Sequence, residues 1–211
     1  MDNNRLKEKI VSVFRQACLN LYCSFSSNKI EGSVPARVHI PEGRISEQEL
    51  KMAFIEVFLA DKELADKSYT YSVETPTEKP YKFSKAGKPV DKLICGSGRK
   101  GNIDLTIFDH NGKSACIIEF KARNDGEFSH GKDLFKLANE SDWPIRFFVE
   151  IYAKTDNATV DSIHRKLYKN KFFNIADNTE YLGFSLCHKG SKSGYCFFIN
   201  NQSDILVKNN I

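Results

Sequence analysis

Two apolar, strand-like segments joined by a short turn are the feature that most constrains how this chain can fold. Residues 102–108 and 114–121 are dominated by aliphatic and aromatic side chains, and the Asp-His-Asn-Gly sequence that follows the first is typical of a hairpin turn. One acid, Asp104, stands alone inside the first segment, and the second segment ends in Glu119-Phe120-Lys121. Because side chains alternate along a strand, Glu119 and Lys121 are predicted to point to the same face.

The rest of the chain predicts further helices and strands on both sides of this hairpin. Pro76 is expected to end a strand that begins at Tyr69, and the Pro- and Gly-containing residues 75–101 are expected to form a loop. A polar loop is also expected between the first two helices. Helices are predicted at 2–24, from Ser46 onward, from Gly131 to Asn139 and at 160–169, and strands at 69–74, 91–95, 145–152, 181–187 and 194–199. This order predicts an α/β fold in which helices flank a central mixed sheet.

Length and composition favour one soluble, globular domain over 1–211, with a core at about 46–154, an N-terminal helix and a C-terminal helix and hairpin at 160–199. Hydrophobic residues make up 41% and charged residues 27%, and no run of about 18 apolar residues predicts a membrane span. The polar N-terminus lacks the apolar centre of a signal peptide, so a cytoplasmic location is expected. The six cysteines lack C-x-x-C and zinc-finger spacing, which favours free thiols.

The hairpin predicts a metal site. Pairing around the turn is expected to set Asp104 roughly opposite Ile117, with Glu119 diagonal to it and close enough for the two carboxylates to share one ion. Buried acids are costly unless they are paired or bind a metal, and Mg²⁺ is commonly held by one or two carboxylates together with water and a substrate phosphate. Lys121 is expected to orient the attacking water and to offset charge that develops on the scissile phosphate.

These residues resemble the PD-(D/E)XK, or restriction-endonuclease-like, nuclease superfamily. The resemblance lies in an Asp on one strand, Asp104, placed 15 positions before Glu119 of an E-x-K sequence at the end of the next strand. It covers roughly residues 46–154, and Ile103 stands where the motif's name has Pro. The resemblance implies a central mixed sheet flanked by helices, cleavage of DNA that depends on Mg²⁺ or Mn²⁺, Asp104 and Glu119 as metal ligands, and Lys121 as a catalytic residue.

Many members of this superfamily also carry a Glu on the helix that precedes the first strand, facing the metal site. Glu47 matches that pattern best, because Leu50 and Phe54 follow it at helical spacing. Glu49 is the alternative, although its position three residues after Ser46 also suits a capping box.

Nucleic-acid contacts are expected from basic residues outside this motif. The Gly-rich sequence at 96–101 matches the G-x-G-x-x-G string of dinucleotide-binding proteins, but a strand follows it where that motif needs a helix. Arg99 and Lys100 in this loop are instead expected to touch phosphate, as is Lys132 on the helix after E-x-K. Lys136, one turn later, is expected to lie on a solvated face.

Two other interpretations of the motif stay open. Glu119 and Lys121 are also compatible with an exposed ion pair on a solvent-facing strand. The same fold without activity is compatible with a module that binds nucleic acid or protein and does not cut. The net charge of +4 is compatible with binding of duplex or branched DNA but does not prove it. No additional domain that could recognise a DNA sequence is visible. A homodimer is the simplest way to cut both strands of a duplex.

Overall fold

The fold is built on one mixed β-sheet. The structure, a computed structural model, describes residues 1–26, 46–85, 88–122, 127–169, 179–187, 189, 195–200 and 206–207. The strands are β1 (Thr70–Lys85), β2 (Lys88–Cys95), β3 (Arg99–Phe108), β4 (Ser114–Ala122), β5 (Ile145–Tyr152), β6 (Thr179–Ser185), β7 (Cys196–Asn200) and β8 (Leu206–Val207). They lie in the order β2-β1-β3-β4-β5-β6-β7-β8. The pairs β4–β5 and β5–β6 are parallel, and the other neighbours are antiparallel.

Helices cover both faces of this sheet. They are α1 (Asn3–Ser26), α2 (Glu47–Ala60), α3 (Lys62–Asp66), α4 (Glu127–Asn139) and α5 (Asn157–Tyr168). One hydrophobic core joins α1 and α2 to the sheet through Phe14, Phe54 and Phe120, and a second joins α4 and α5 to the opposite face through Leu134 and Phe148. Burial of these apolar side chains on both faces is the main contribution that fixes the helices on the sheet. The predicted mixed sheet with flanking helices is therefore confirmed.

Most predicted elements lie within a few residues of their expected bounds, but two predictions are wrong and two elements were not predicted. The sequence from 75 to 101 is not a loop, because β1 continues past Pro76 and β2 and β3 follow it. A register shift between Pro76 and Pro80 accommodates residues that cannot donate to the sheet. Helix α4 begins at Glu127 and runs through Gly131. Neither α3 nor β8 was expected, and the predicted loop at 27–45 and the turn at 190–194 lie outside the described residues.

The extended strands form an arm beside the main sheet, which we define as residues 80–85 of β1, β2, and residues 99–101 of β3. In the arm, Tyr81 is paired with Cys95 on one side and with Arg99 on the other. The chain enters β3 through Gly98, whose φ is +104°, and a Cβ at that position would overlap the carbonyl oxygen of Tyr81. Glycine is therefore required where the turn passes so close to β1.

The register of the central hairpin also differs from the expected one. The turn between β3 and β4 spans residues 109–113, because the pairing starts at Phe108 and Ser114 and then shifts by one residue. Leu105 is consequently paired with Ile118, two residues farther along β4 than the predicted turn would allow. The recorded pairing ends at these two residues, next to Asp104 on β3 and Glu119 on β4.

Two general expectations can be compared with the described residues. Cysteines 18, 95, 116, 187 and 196, which the structure describes, are free thiols. Within the described parts of the chain, no helix has both the length and the apolar character needed to cross a membrane.

Candidate functional site

The candidate site lies where β3 and β4 separate. Regular pairing of the two strands ends at Leu105 and Ile118. Beyond that point the amide of Phe120 donates to Oδ2 of Asp104 at 2.8 Å, so a side chain accepts a hydrogen bond that would otherwise go to a main-chain carbonyl. The other oxygen, Oδ1, accepts from Nζ of Lys51 on α2 at 3.2 Å. Asp104 thus lies between the strands and keeps about a fifth of its side chain exposed, 18%.

Glu119 faces α4 and is almost completely buried. Its Oε1 forms an ion pair with Nζ of Lys136 at 2.6 Å. The same ammonium group lies 3.0 Å from Oδ1 of Asp133 and donates to the carbonyl of Asn102 at 2.9 Å. Lys136 therefore joins β3, β4 and its own helix.

Lys121 connects the two helices that flank the site. Its Nζ lies 2.7 Å from Oδ2 of Asp133 on α4 and 3.3 Å from Oε1 of Glu47 on α2. Both Glu119 and Lys121 are buried, and each pairs with a helix residue. The alternative in which Glu119 and Lys121 form an exposed ion pair with each other is therefore wrong.

The two candidate helix acids have different surroundings. Glu47, the first residue of α2, contacts Lys121 and keeps 38% of its side chain exposed. Glu49 closes the capping box, since its Oε2 accepts from the amide of Ser46 at 2.6 Å while its own amide donates to the Ser46 hydroxyl. The cap holds the N-terminus of α2, and with it Glu47, beside the end of β4.

These residues form one group, which we call the carboxylate–lysine cluster. In the described part of the chain, ion pairs join Glu47, Lys121, Asp133, Lys136 and Glu119. The pair of Lys51 and Asp104 belongs with them because the charge of Asp104 raises the pKa values of Glu47 and Glu119. Four carboxylates meet three ammonium groups, and Lys51 also pairs with the exposed Glu74 at 2.7 Å. Charges buried in this way are tolerated because nearly every one has a partner of opposite sign.

Burial and neighbouring charges move the pKa values of the cluster in different directions. Burial raises the pKa of Glu119, and repulsion from Asp133 and Asp104 adds to it, although Lys136 opposes the change. Burial would also raise the pKa of Asp133, but the attraction of Lys136 and Lys121 outweighs it and holds that pKa below its usual value. The ionised form of Asp133 is therefore stabilised by its surroundings, whereas the ionised form of Glu119 is destabilised by burial.

The lysine pKa values follow from the same balance. Burial acts to lower the pKa of Lys121 and Lys136, but the buried carboxylates overcome it and raise both values. The ammonium groups of both lysines therefore stay charged at neutral pH. For Glu47 the effect of burial is the larger one, because burial raises its pKa more than Lys121 lowers it.

Three cluster residues were not identified from the sequence. Lys136 was expected on a solvated face, which is wrong, since only 6% of the residue is exposed. Lys51 and Asp133 were not considered. A signal was present for both, because each stands at helical spacing from apolar residues of the buried face, Lys51 three before Phe54 and Asp133 four before Leu137.

The predicted nucleic-acid contacts do not form one surface with each other. Arg99 is paired with Tyr81 and shares its face, whereas Lys100 is paired with Pro80 on the opposite face. Lys132 lies over the ring of Phe83, with its Nζ 5.9 Å from the ring centroid. Arg99 and Lys100 are exposed and Lys132 is half-buried.

A second buried polar pair anchors the start of α4 next to the cluster. Nε2 of His130 lies 3.2 and 3.1 Å from the two carboxylate oxygens of Glu150, and both side chains are essentially inaccessible. Glu150 is paired with Lys121 across the parallel strands β4 and β5. This contact fixes the turn of α4 that carries Asp133.

A first prediction follows from the direction of the Glu119 pKa. An acid whose pKa is higher in the folded than in the unfolded protein, where it is near 4.5, costs stability as pH rises through that range. Glu119→Gln should therefore gain thermal stability over the wild type as pH increases above 4.5 and match it below. Melting temperatures from pH 3 to 8 measure this difference.

Glu63→Gln provides a control of opposite sign. Hydrogen bonds from Arg5 and Lys9 lower the pKa of Glu63 to about 2. The ionised Glu63 side chain therefore stabilises the folded protein above pH 4.5, and this stabilisation disappears as pH falls toward 2. The Glu63→Gln variant should be less stable than the wild type at neutral pH, and this difference in melting temperature should become smaller in acid. A Glu119→Gln variant that follows the Glu63→Gln profile would contradict the assigned burial.

A second prediction concerns Lys136. Lys136→Met leaves Glu119 and Asp133 buried with Lys121 as their nearest cation, and removal of one partner from a buried ion pair costs about 3–5 kcal/mol. Adding Glu119→Gln should restore part of this loss, because the two residues are in contact. Urea denaturation of the single and double variants measures the coupling.

The matched control for this change is Lys9→Met, which removes a more exposed pair with Asp61 and should cost about 0.2–1 kcal/mol. Equal losses for Lys136→Met and Lys9→Met, or no coupling between Lys136 and Glu119, would show that the buried contact is energetically unimportant.

Comparison with known proteins gives no relative for this chain. It matches no protein-family model, no curated protein and no solved structure. The function of the carboxylate–lysine cluster has to be inferred from its own geometry and charge.

Proposed function

We propose that this protein is a metal-dependent DNA endonuclease of the PD-(D/E)XK type. One observation supports the proposal: Asp104 lies at the end of the regular β3–β4 pairing, close enough for its charge to raise the pKa of Glu119, and Lys121, two residues after Glu119, contacts Glu47. The acid that the superfamily carries on a helix before its first strand corresponds to Glu47 on α2. A restriction-endonuclease-like fold is part of this proposal, since a mixed sheet flanked by helices is what the resemblance implies.

The donor groups suit a hard divalent cation such as Mg²⁺ or Mn²⁺. Glu119 Oε1 and Asp133 Oδ2 are buried carboxylate oxygens whose charged partners are Lys136 and Lys121, and Asp104 is close enough for its charge to raise the pKa of Glu119. Among the described residues, no group of three or more His, Cys, Asp or Glu side chains is arranged to hold a metal by itself. Asp104 and Glu119 would therefore hold an ion whose shell is completed by water and by the DNA phosphate, as is common for Mg²⁺.

The proposed reaction is hydrolysis of one phosphodiester bond. The oxygen of a water molecule forms a bond to phosphorus as one ester P–O bond breaks, and the two hydrogens of the water end on the departing hydroxyl and in solvent. A bound divalent ion supplies Lewis-acid polarisation of the phosphate and a more acidic water. The chain's own contribution is to fix the carboxylates and to place Lys121 where it orients the water and offsets charge on the phosphate.

Lys121 is suited to this role by the way it is held. Asp133 and Glu47 contact its ammonium group from two helices, and they raise its pKa against the effect of burial. It therefore acts as a fixed positive charge, and not as a proton acceptor, at neutral pH. Glu47 is the more exposed of its two partners, so substrate would approach Lys121 from the α2 side.

One observation favours the competing function, a module on the same fold that binds nucleic acid or protein without cutting it. Lys51 already contacts Asp104, and Lys136 already contacts Glu119. The lysines thus compensate both proposed ligands in the absence of a metal. Binding of DNA without cleavage under any metal condition would favour this alternative.

The third prediction is that the protein cuts DNA in a way that depends on the metal and on the cluster. Supercoiled plasmid, branched DNA and single-stranded DNA should be tested with Mg²⁺, with Mn²⁺ and with EDTA. Asp104→Asn, Glu119→Gln and Lys121→Ala should each lower the rate by about 10²-fold or more, the effect expected when one charged group at the reacting centre is lost.

Glu63→Gln and Lys9→Ala are the matched controls, since they remove the same kinds of charge from a pair remote from the cluster. Both should retain the wild-type rate. Cleavage that persists in EDTA, or that survives Lys121→Ala, would disprove the mechanism.

The fourth prediction concerns the ion without catalysis. If Asp104 and Glu119 share a divalent ion, millimolar Mg²⁺ or Mn²⁺ with a short duplex should raise the melting temperature of the wild type, because a ligand that binds only the folded state stabilises it. Asp104→Asn and Glu119→Gln should lose this increase, whereas Glu63→Gln should keep it. An equal metal-dependent shift in all four proteins would place the ion elsewhere.

A further inference from the structure

The arm presents two faces of different character. Tyr81 and Phe83 stack on each other with ring centroids 5.4 Å apart, and Tyr81 also packs edge-on against Phe135 of α4. Their face is therefore turned toward α4. Arg99, which is directly opposite Tyr81 on β3, shares that face.

The opposite face of the arm is basic. Lys82 is paired with Ile94, and Pro80 is paired with Lys100, so Lys82 and Lys100 point away from Tyr81. Lys92 joins them, because it is exposed and separated from the exposed Ile94 by the buried Leu93. We call the face that carries Lys82, Lys92 and Lys100 the basic arm face.

Two described acids close to Tyr81 of the arm, Glu78 and Glu140, lie on the α4 side. Glu140 at the end of α4 accepts from the hydroxyl of Tyr81 at 2.7 Å and from the amide of Glu78 at 3.0 Å. Glu78 is close enough to Asp142 and Glu140 for their charges to add to the effect of burial and raise its pKa. The arm is thus acidic near α4 and basic on the face turned away from it.

The basic arm face continues along β3 to the candidate site. Lys100, Asn102 and Asp104 alternate along this strand, and at about 3.4 Å per residue Lys100 lies roughly 14 Å from Asp104. The cluster is also more accessible on the α2 side, through Asp104 and Glu47, than on the α4 side, where Asp133 and Lys136 are buried. The basic surface and the open side of the cluster are therefore adjacent.

We propose that the basic arm face binds the sugar-phosphate backbone of a DNA duplex and leads it to the cluster. The binding follows from the arm itself, and only its role in supplying substrate rests on the proposed nuclease function. Among the described side chains of this face there is no aromatic ring, because Tyr81 and Phe83 point the other way. Stacking of unpaired bases needs such rings, whereas contacts from lysines to phosphate do not.

The basic residues expected from the sequence to contact nucleic acid lie on two different faces. Lys100 belongs to the basic arm face, whereas Arg99 and Lys132 lie on the side of Tyr81 and Phe83. Lys82 and Lys92 take part instead, although nothing in the sequence alone distinguishes them from other lysines.

The test is fluorescence anisotropy with a labelled duplex of about 20 base pairs in EDTA, so that binding is measured without cleavage. The triple variant Lys82→Gln, Lys92→Gln and Lys100→Gln should bind at least tenfold more weakly. Its log Kd should depend less steeply on log salt, with a slope smaller by up to about 2.7, because each lost phosphate contact removes about 0.9.

Two controls distinguish binding by the basic arm face from a general effect of lost positive charge. Lys62→Gln, Lys67→Gln and Lys113→Gln together remove three exposed lysines elsewhere on the molecule and should change the affinity less than twofold. Arg99→Gln alters the next residue of the same strand on the other face and should weaken binding less than Lys100→Gln. Circular dichroism establishes that all variants are folded.

Four other outcomes overturn the inference. Equal weakening by the two triple variants would mean a response to net charge alone, and a larger effect of Arg99→Gln would assign binding to the opposite face. Single-stranded DNA bound as tightly as duplex, or no binding of duplex at all, would exclude a duplex-binding surface. Binding through the arm without any cleavage would instead refute the proposed nuclease function and leave the arm's role intact.

Discussion

The hydrogen bond from the Phe120 amide to Asp104 determines the arrangement of the whole site. In a regular antiparallel pair this amide would donate to a carbonyl of β3, and the two strands would stay about 4.8 Å apart. A carboxylate that takes the place of that carbonyl ends the ladder without leaving a buried amide unsatisfied. The strands can then diverge, and side chains from both flanking helices reach the gap.

The buried charges that meet in this gap are not explained by stability. The desolvation penalty of a buried ion pair often exceeds the attraction between its charges, and apolar residues of the same size would often give equal stability. Here Lys136 and Lys121 are buried to satisfy Glu119 and Asp133, and burial still raises the pKa of Glu119. A buried carboxylate whose pKa is perturbed by burial and by charged neighbours is typical of a functional site.

The sequence predicted the central hairpin, β5 and the first two helices because their apolar periods are long and uninterrupted. Apart from the strand at 91–95, the arm was not predicted, because Pro76 and Pro80 normally exclude a strand and only the register shift between them lets β1 continue. Asp104 and Glu119 could be identified as acids in apolar strands. Lys136 could not, because a helical lysine is usually solvated and its burial depends on a carbonyl of β3 that is distant in sequence.

Both helices that supply the lysines are fixed at the end nearest the cluster. The capping box of Ser46 and Glu49 holds the start of α2, from which Glu47 and Lys51 project. The contact of His130 with Glu150 holds the start of α4, one turn before Asp133.

The far end of α4 is fixed as well. Arg146 of β5 donates to the carbonyl of Leu137, where a helix leaves its last carbonyls without partners. Charged groups 2.6–3.3 Å apart hold their positions only if the backbones that carry them are fixed, since long side chains lose about 2 kcal/mol of rotamer entropy when ordered. The caps and the buried His130–Glu150 pair therefore do more than end helices. They hold a lysine of α2 against Asp104 of β3 and a lysine of α4 against Glu119 of β4.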